Sequence, residues 1–131
     1  MLQQKIVNEY MTRSVVTLNP DNTMFEASEL LQKNRISVAP VIDANRNLLG
    51  ILSEWDCLNI SLKGRMEKFP SGKVTEYMSK DVLAVTPDTG VFEVIQIFIE
   101  KRYHRIPVSK NGKLVGIISR QDLMAAILDI G

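Results

Sequence analysis

The residues best placed to do chemistry in this chain are two short serine–aspartate pairs, Ser53-Glu54-Trp55-Asp56 and Ser119-Arg120-Gln121-Asp122. A serine three residues ahead of an aspartate at a helix start can cap that helix. The hydroxyl accepts from backbone N–H groups, and the carboxylate favours the positive end. The same arrangement can also serve a ligand. A helix N-terminus offers unpaired N–H donors and partial positive charge, which suits phosphate. A carboxylate nearby can accept hydrogen bonds from two ribose hydroxyls. Capping and ligand contact can coexist, and each pair directly follows a Gly-Ile-apolar run, at an expected strand end.

Other chemistries have less to work with. Cys57 is the only cysteine and His104 the only histidine, so neither an intrachain disulfide nor a Cys/His zinc site can be assembled. A Cys57–His104 catalytic pair is disfavoured, because Cys57 sits in an apolar helical stretch where a small buried hydrophobe is the simpler role. No GxxxxGK[ST], HExxH or G-x-S-x-G motif occurs, and the carboxylates form no recognisable acid–base pair. The chain reads as a non-enzyme, with no catalytic and no metal residues assigned.

Charge argues in the same direction. Sixteen basic and 15 acidic residues leave a net charge of +1. The only basic clusters, Lys63-Gly64-Arg65 and Lys101-Arg102-Tyr103-His104-Arg105, are short. Such runs commonly mark a solvated helix end or strand edge, so a nucleic-acid partner is not expected, while a small anionic ligand remains open. With 45% hydrophobic and 24% charged residues, composition is that of a folded globule. No apolar run approaches the roughly 18 residues of a membrane span, and Met1-Leu2-Gln3-Gln4-Lys5 lacks a secretory apolar stretch. A cytoplasmic protein with no membrane partner is expected.

The elements that must position these residues occur twice. Val7-Asn8-Glu9-Tyr10-Met11 returns as Val74-Thr75-Glu76-Tyr77-Met78, and Pro40-Val41 as Pro107-Val108, at an offset of 67. Gly50-Ile51-Leu52-Ser53 returns as Gly116-Ile117-Ile118-Ser119 at an offset of 66. The reading is repeat 1 over 1–60, a linker over 61–73 containing Gly64, Pro70 and Gly72, and repeat 2 over 74–131. Each repeat has a helical lead-in (Ile6–Met11; Val74–Met78), then an extended segment (Val15–Leu18; Val82–Val85) and a Pro-Asp turn. A helix follows, opened in repeat 1 by the capping box Thr23-x-x-Glu26. Two strands come next (Val38–Ile42 and Leu48–Leu52; Ile106–Ser109 and Lys113–Ile118), the second pair joined through the hairpin signal Asn111-Gly112. A final helix carries Trp55, Leu58 and Ile60, or Leu123, Met124, Ile127 and Leu128. One repeat alone is small for a core, so the two are expected to pack about a pseudo-two-fold axis. The helix Val91–Ile99 is apolar over much of its circumference, which points to burial by the sister repeat or to a homodimer surface.

The order Pro-Asp, helix, strand with Pro-Val, turn, Gly-Ile strand, Ser-x-x-Asp, present twice, resembles the cystathionine-β-synthase (CBS) domain family over nearly the whole chain. Its sharpest elements are the two Gly-Ile-…-Asp runs, Gly50–Asp56 and Gly116–Asp122, followed by Tyr103-His104-Arg105-Ile106-Pro107-Val108. The resemblance implies an α/β (α+β) fold made of a tandem pair of β-α-β-β-α repeats. It implies AMP, ADP or ATP bound in clefts between repeats, no required cofactor, a homodimer, and regulation of a partner protein. S-adenosylmethionine, a dinucleotide, or a structural dimer module with vestigial clefts are the alternatives. By the family pattern, Ser53 and Asp56 face Thr86, His104 and Arg105, whereas Ser119 and Asp122 face Asn19, Ser37 and Val38 with Arg120 as the nearby cation. Arg105 suits bidentate phosphate contact, which makes the Asp56 cleft the stronger phosphate binder. If His104 meets phosphate, affinity should rise as pH falls through its titration range.

Overall fold

The computed structural model describes residues 2–64 and 72–129. Most of the expected linker and Arg65 of the first basic cluster therefore lie outside the described residues. Five α-helices and four strands are present among them: α1 (Met24–Lys33), β1 (Val38–Ile42), β2 (Leu48–Ser53), α2 (Glu54–Gly64), α3 (Val74–Tyr77), α4 (Val91–Lys101), β3 (Arg105–Lys110), β4 (Lys113–Ser119) and α5 (Arg120–Leu128). The first lead-in forms 3₁₀ turns over Leu2–Gln4 and Val7–Glu9.

The chain divides into two compact units. One is continuous, Val16–Val82; the other joins Met1–Val15 to Leu83–Gly131. Each unit thus takes its lead-in from the other sequence repeat. In the continuous unit, Val74 of the second lead-in is fully buried with Leu18, Met24, Ala27, Leu31, Ala39, Val41, Leu52, Cys57 and Ile60. In the discontinuous unit, Val7 and Met11 of the first lead-in are buried with Val85, Val91, Val94, Phe98, Ile106, Val108, Ile118, Leu123 and Ala126.

The hairpins repeat one design. β1 pairs antiparallel with β2, setting Val38 opposite Ser53, and β3 with β4, setting Arg105 opposite Ser119. Both carry a bulge after the Pro-Val step, between Val41 and Ile42 and between Val108 and Ser109. Asn111 and Gly112 both adopt positive φ, 55° and 80°, the mirror-image turn whose twist suits a two-residue hairpin. The other hairpin closes over five residues, where Asp43 Oδ1 accepts from the backbone N–H groups of Asn45 and Asn47, each at 2.9 Å. Because Lys110 and Lys113 pair in the tighter hairpin, five residues separate Ile42 from Leu48 and four separate the equivalent Ser109 and Leu114, and that one-residue difference accounts for the change of repeat offset.

Around each hairpin the chain adds single bridges rather than full strands. Leu18 lies parallel to Val41, and Val85 parallel to Val108, so the expected extended segments shrink to one paired residue each. On the other edge, Ser79 exchanges two backbone hydrogen bonds with Ile51, both 2.9 Å, and Thr12 does the same with Ile117 at 2.8 and 2.9 Å.

Helix starts follow local chemistry. Thr23 Oγ1 accepts from the Glu26 N–H at 3.0 Å, and Glu26 Oε1 accepts from the Thr23 N–H at 2.8 Å. The Thr23 N–H, with help from the Asn22 side chain, holds the Glu26 carboxyl below its ordinary range. A depressed folded-state value means this stabilisation is present above the unfolded carboxyl range and is lost as pH falls through the folded value. Urea titrations from pH 7 down to pH 3 should therefore show Glu26→Gln less pH-sensitive than wild type.

Candidate functional site

In the continuous unit, β2 ends on Ser53 and α2 begins at once. Ser53 Oγ accepts from the Asp56 N–H at 3.2 Å and donates to Asp56 Oδ2 at 3.1 Å. The Ser53 N–H donates to the same oxygen at 2.8 Å. Ser37 joins from the opposite strand end, its carbonyl accepting from the Glu54 N–H at 2.8 Å. Val38, opposite Ser53, completes this corner.

The discontinuous unit builds the same corner. Asp122 Oδ2 accepts from the Ser119 N–H at 2.9 Å and from the Ser119 hydroxyl at 3.0 Å, while Ser119 Oγ accepts from the Asp122 N–H at 3.2 Å. His104 takes the place of Ser37, its carbonyl accepting from the Arg120 N–H at 3.2 Å. Arg105 takes the place of Val38. Arg120 reaches across so that its guanidinium lies 3.2 Å from His104 Nδ1. A guanidinium can only donate, so Nδ1 is the acceptor in this contact.

Both serine–aspartate pairs are therefore caps, as elementary helix chemistry requires, and the caps leave room for more. Each aspartate uses Oδ2 to hold its own helix start. The first-turn N–H groups of Glu54 and Asp56, and of Arg120 and Asp122, are already donated, so what remains on offer is the second carboxylate oxygen and the positive end of each helix. His104, Arg105 and Arg120 add three cations or donors to one corner only. Cross-strand pairing of Arg105 with Ser119 sets Arg120 and His104 side by side.

Asn19 and Thr86 occupy a different place. Each directly follows a bridge, Leu18 opposite Val41 and Val85 opposite Val108, about three residues or roughly 10 Å along the strand from Val38 and Arg105. Their side chains are used locally. Asn19 Oδ1 accepts from the Asp21 N–H at 2.8 Å, and Thr86 Oγ1 lies 3.0 Å from Thr89 Oγ1.

One residue at the corner was not singled out in the sequence. Thr12 Oγ1 donates to both oxygens of Asp122, at 3.2 and 3.3 Å. The signal for it was the hydroxyl residue after each lead-in methionine, Met11-Thr12 and Met78-Ser79.

Cys57 fits a structural role. It is buried and unpaired, and burial pushes its thiol above the ordinary range. No cluster of three or more His, Cys, Asp or Glu residues able to hold a metal occurs among the described residues. No helix among them is long and apolar enough to cross a membrane.

Comparison with known proteins decides what this doubled architecture is. The family model of the CBS domain matches residues 7–63 and again residues 74–129. The chain belongs to the CBS-domain family. Its CBS pair is 33% identical to a 17.7 kDa protein of Acidianus ambivalens, with 95% of this chain and 74% of that protein aligned. It is 36% identical to the chloroplastic CBS domain-containing protein CBSX1 of Arabidopsis thaliana, covering 95% of this chain but 64% of the relative. Among solved structures, CBSX2 of Arabidopsis thaliana in complex with AMP superimposes with a TM-score of 0.82 at 29% identity, covering 94% of this chain and 96% of that one. An AcuB-type protein of Vibrio cholerae gives a TM-score of 0.84 at 30% identity, covering 96% and 92%. The CBS pair also aligns with 23% of an inosine-5'-monophosphate dehydrogenase of Methanocaldococcus jannaschii at 31% identity.

Proposed function

We propose that this CBS pair is a non-catalytic sensor that binds an adenosine-containing ligand, AMP, ADP or ATP, and passes its occupancy to a partner protein. The observation that carries the reading is AMP bound to CBSX2, a neighbour alike over nearly its full length. Here the helix starts Ser53–Asp56 and Ser119–Asp122 supply what a nucleoside phosphate needs: a carboxylate for the ribose hydroxyls, held in place by its serine, and a positive helix end that favours phosphate. Thr86, His104 and Arg105 belong to the ligand contacts of Asp56 in this reading, and Asn19, Ser37, Val38 and Arg120 to those of Asp122. The ligand acts by binding one conformation of the pair better than another. Acid–base or nucleophilic catalysis has no support in a buried Cys57 or in a His104 engaged by Arg120. The free thiol suits the cytoplasm.

The sensor acts as a homodimer. Trp55, Leu58 and Leu62 are 70%, 57% and 79% exposed along α2, and Met124 and Leu128 are 53% and 75% exposed along α5. Apolar stripes of this kind call for a covering surface. Analytical ultracentrifugation is expected to return twice the chain mass for wild type and the single mass for Leu58→Glu.

A thermal-shift screen against AMP, ADP, ATP, S-adenosylmethionine and dinucleotides tests the ligand. An adenine nucleotide at 100 times its Kd should add about 2.7 kcal/mol, roughly a 10 °C rise. Shifts confined to S-adenosylmethionine or a dinucleotide would replace the nucleotide, and no shift at all would reduce the module to a structural dimer.

A further inference from the structure

We infer that Thr12 makes the two helix starts unequal as ribose receptors, lowering the affinity of Asp122 and leaving Asp56 the stronger site; the inference rests on the proposed adenosine reading. The two carboxylates are held alike on Oδ2 by their own serines but differ on the other side. The Thr12 hydroxyl donates to Asp122 Oδ1 and Oδ2. At Asp56, nothing among the described residues other than Ser53 and its N–H donates to the carboxylate. Ser79, the counterpart of Thr12, keeps the backbone pairing with Ile51 but places no hydroxyl on Asp56.

A ribose diol brings two O–H donors and needs acceptor sites on one carboxylate. Among the described residues nothing donates to Asp56 Oδ1, so both of its acceptor positions are open to a diol, whereas at Asp122 the Thr12 hydroxyl already takes up part of that capacity. Positioning does not require Thr12, because two bonds of 2.9 and 3.0 Å from Ser119 already orient Asp122. Thr12 therefore competes with the ligand rather than preparing the site. Its side chain is exposed, so water replaces the lost contact, and the penalty is a few-fold rather than orders of magnitude.

The test is calorimetric titration of the full chain with AMP. In an Asp56→Asn background, which leaves only the Asp122 start, Thr12→Val should tighten AMP about fivefold, and Thr12→Ser should restore the parent affinity. In an Asp122→Asn background Thr12→Val should change nothing. With 2′,3′-dideoxy-AMP, which lacks the diol, the gain should vanish. Equal or weaker AMP binding by Thr12→Val in the Asp56→Asn background overturns the inference, including the case where neither protein binds. The adenosine reading fails separately, if the Asp56→Asn/Asp122→Asn double variant binds AMP as tightly as wild type.

Discussion

Asp56→Asn is expected to weaken AMP binding by about a hundredfold at its site while the protein stays folded. The amide oxygen of asparagine can still accept from the Ser53 N–H that Asp56 Oδ2 now receives at 2.8 Å, so the start of α2 keeps its cap. Its NH₂ group, however, cannot accept from a ribose hydroxyl, and the negative charge is gone. Hydrogen bonds to a charged acceptor contribute about 1.5–3 kcal/mol each, so losing the diol contact costs about 3 kcal/mol. Asp122→Asn should cost less of the total affinity, because Asp122 is already engaged by Thr12. Titration with AMP, alongside urea unfolding, separates binding from stability. Unchanged affinity in both variants would remove these carboxylates from the ribose.

Gly50→Ala and Gly116→Ala should each destabilise the fold by about 2 kcal/mol, a fall in Tm of roughly 8 °C, with no change of secondary structure. Neither glycine needs a left-handed backbone. Each is required because the lead-in crosses directly over it. A Cβ on Gly50 would lie 2.7 Å from the Ser79 carbonyl oxygen and 2.7 Å from Met78 Sδ. One on Gly116 would lie 2.9 Å from both the Thr12 carbonyl oxygen and Met11 Sδ. A methionine can move aside, but the carbonyls belong to backbone pairs that fasten the lead-in to β2 and β4. Gly90, where a Cβ meets nothing within 4 Å, supplies the control. Gly90→Ser should shift stability by less than about 0.5 kcal/mol. Thermal melts that leave Gly50→Ala and Gly116→Ala at the wild-type Tm would mean the lead-ins are not seated as described.

Much of this was legible in the sequence for physical reasons. Capping boxes, a mirror-image Asn-Gly turn and the Ser-x-x-Asp starts are local, and each is fixed by residues within three or four positions. The doubled pattern displayed the family for the same reason. Apolar periodicity was less decisive. Along α2, Trp55 and Leu58 form one apolar stripe and Cys57 and Ile60 another, and only packing shows that the second is buried. Repeat matching could not show where each lead-in sits either, because similarity pairs Val7 with Val74 without saying whose core receives them. The contact of Thr12 with Asp122 spans 110 residues and depends on that seating. Its chemistry was visible in Met11-Thr12, but its address was not.

The seating of the lead-ins also sets the order in which the protein can be finished. The Val16–Val82 unit is continuous, so all of its residues are synthesised before the last third of the chain. Val7 and Met11, synthesised first, stay uncovered until the hydrophobic residues from Val85 to Ala126 arrive to enclose them. A gene cut at the repeat boundary would separate both lead-ins from their cores, so the smallest piece that recombination can transplant intact is the pair.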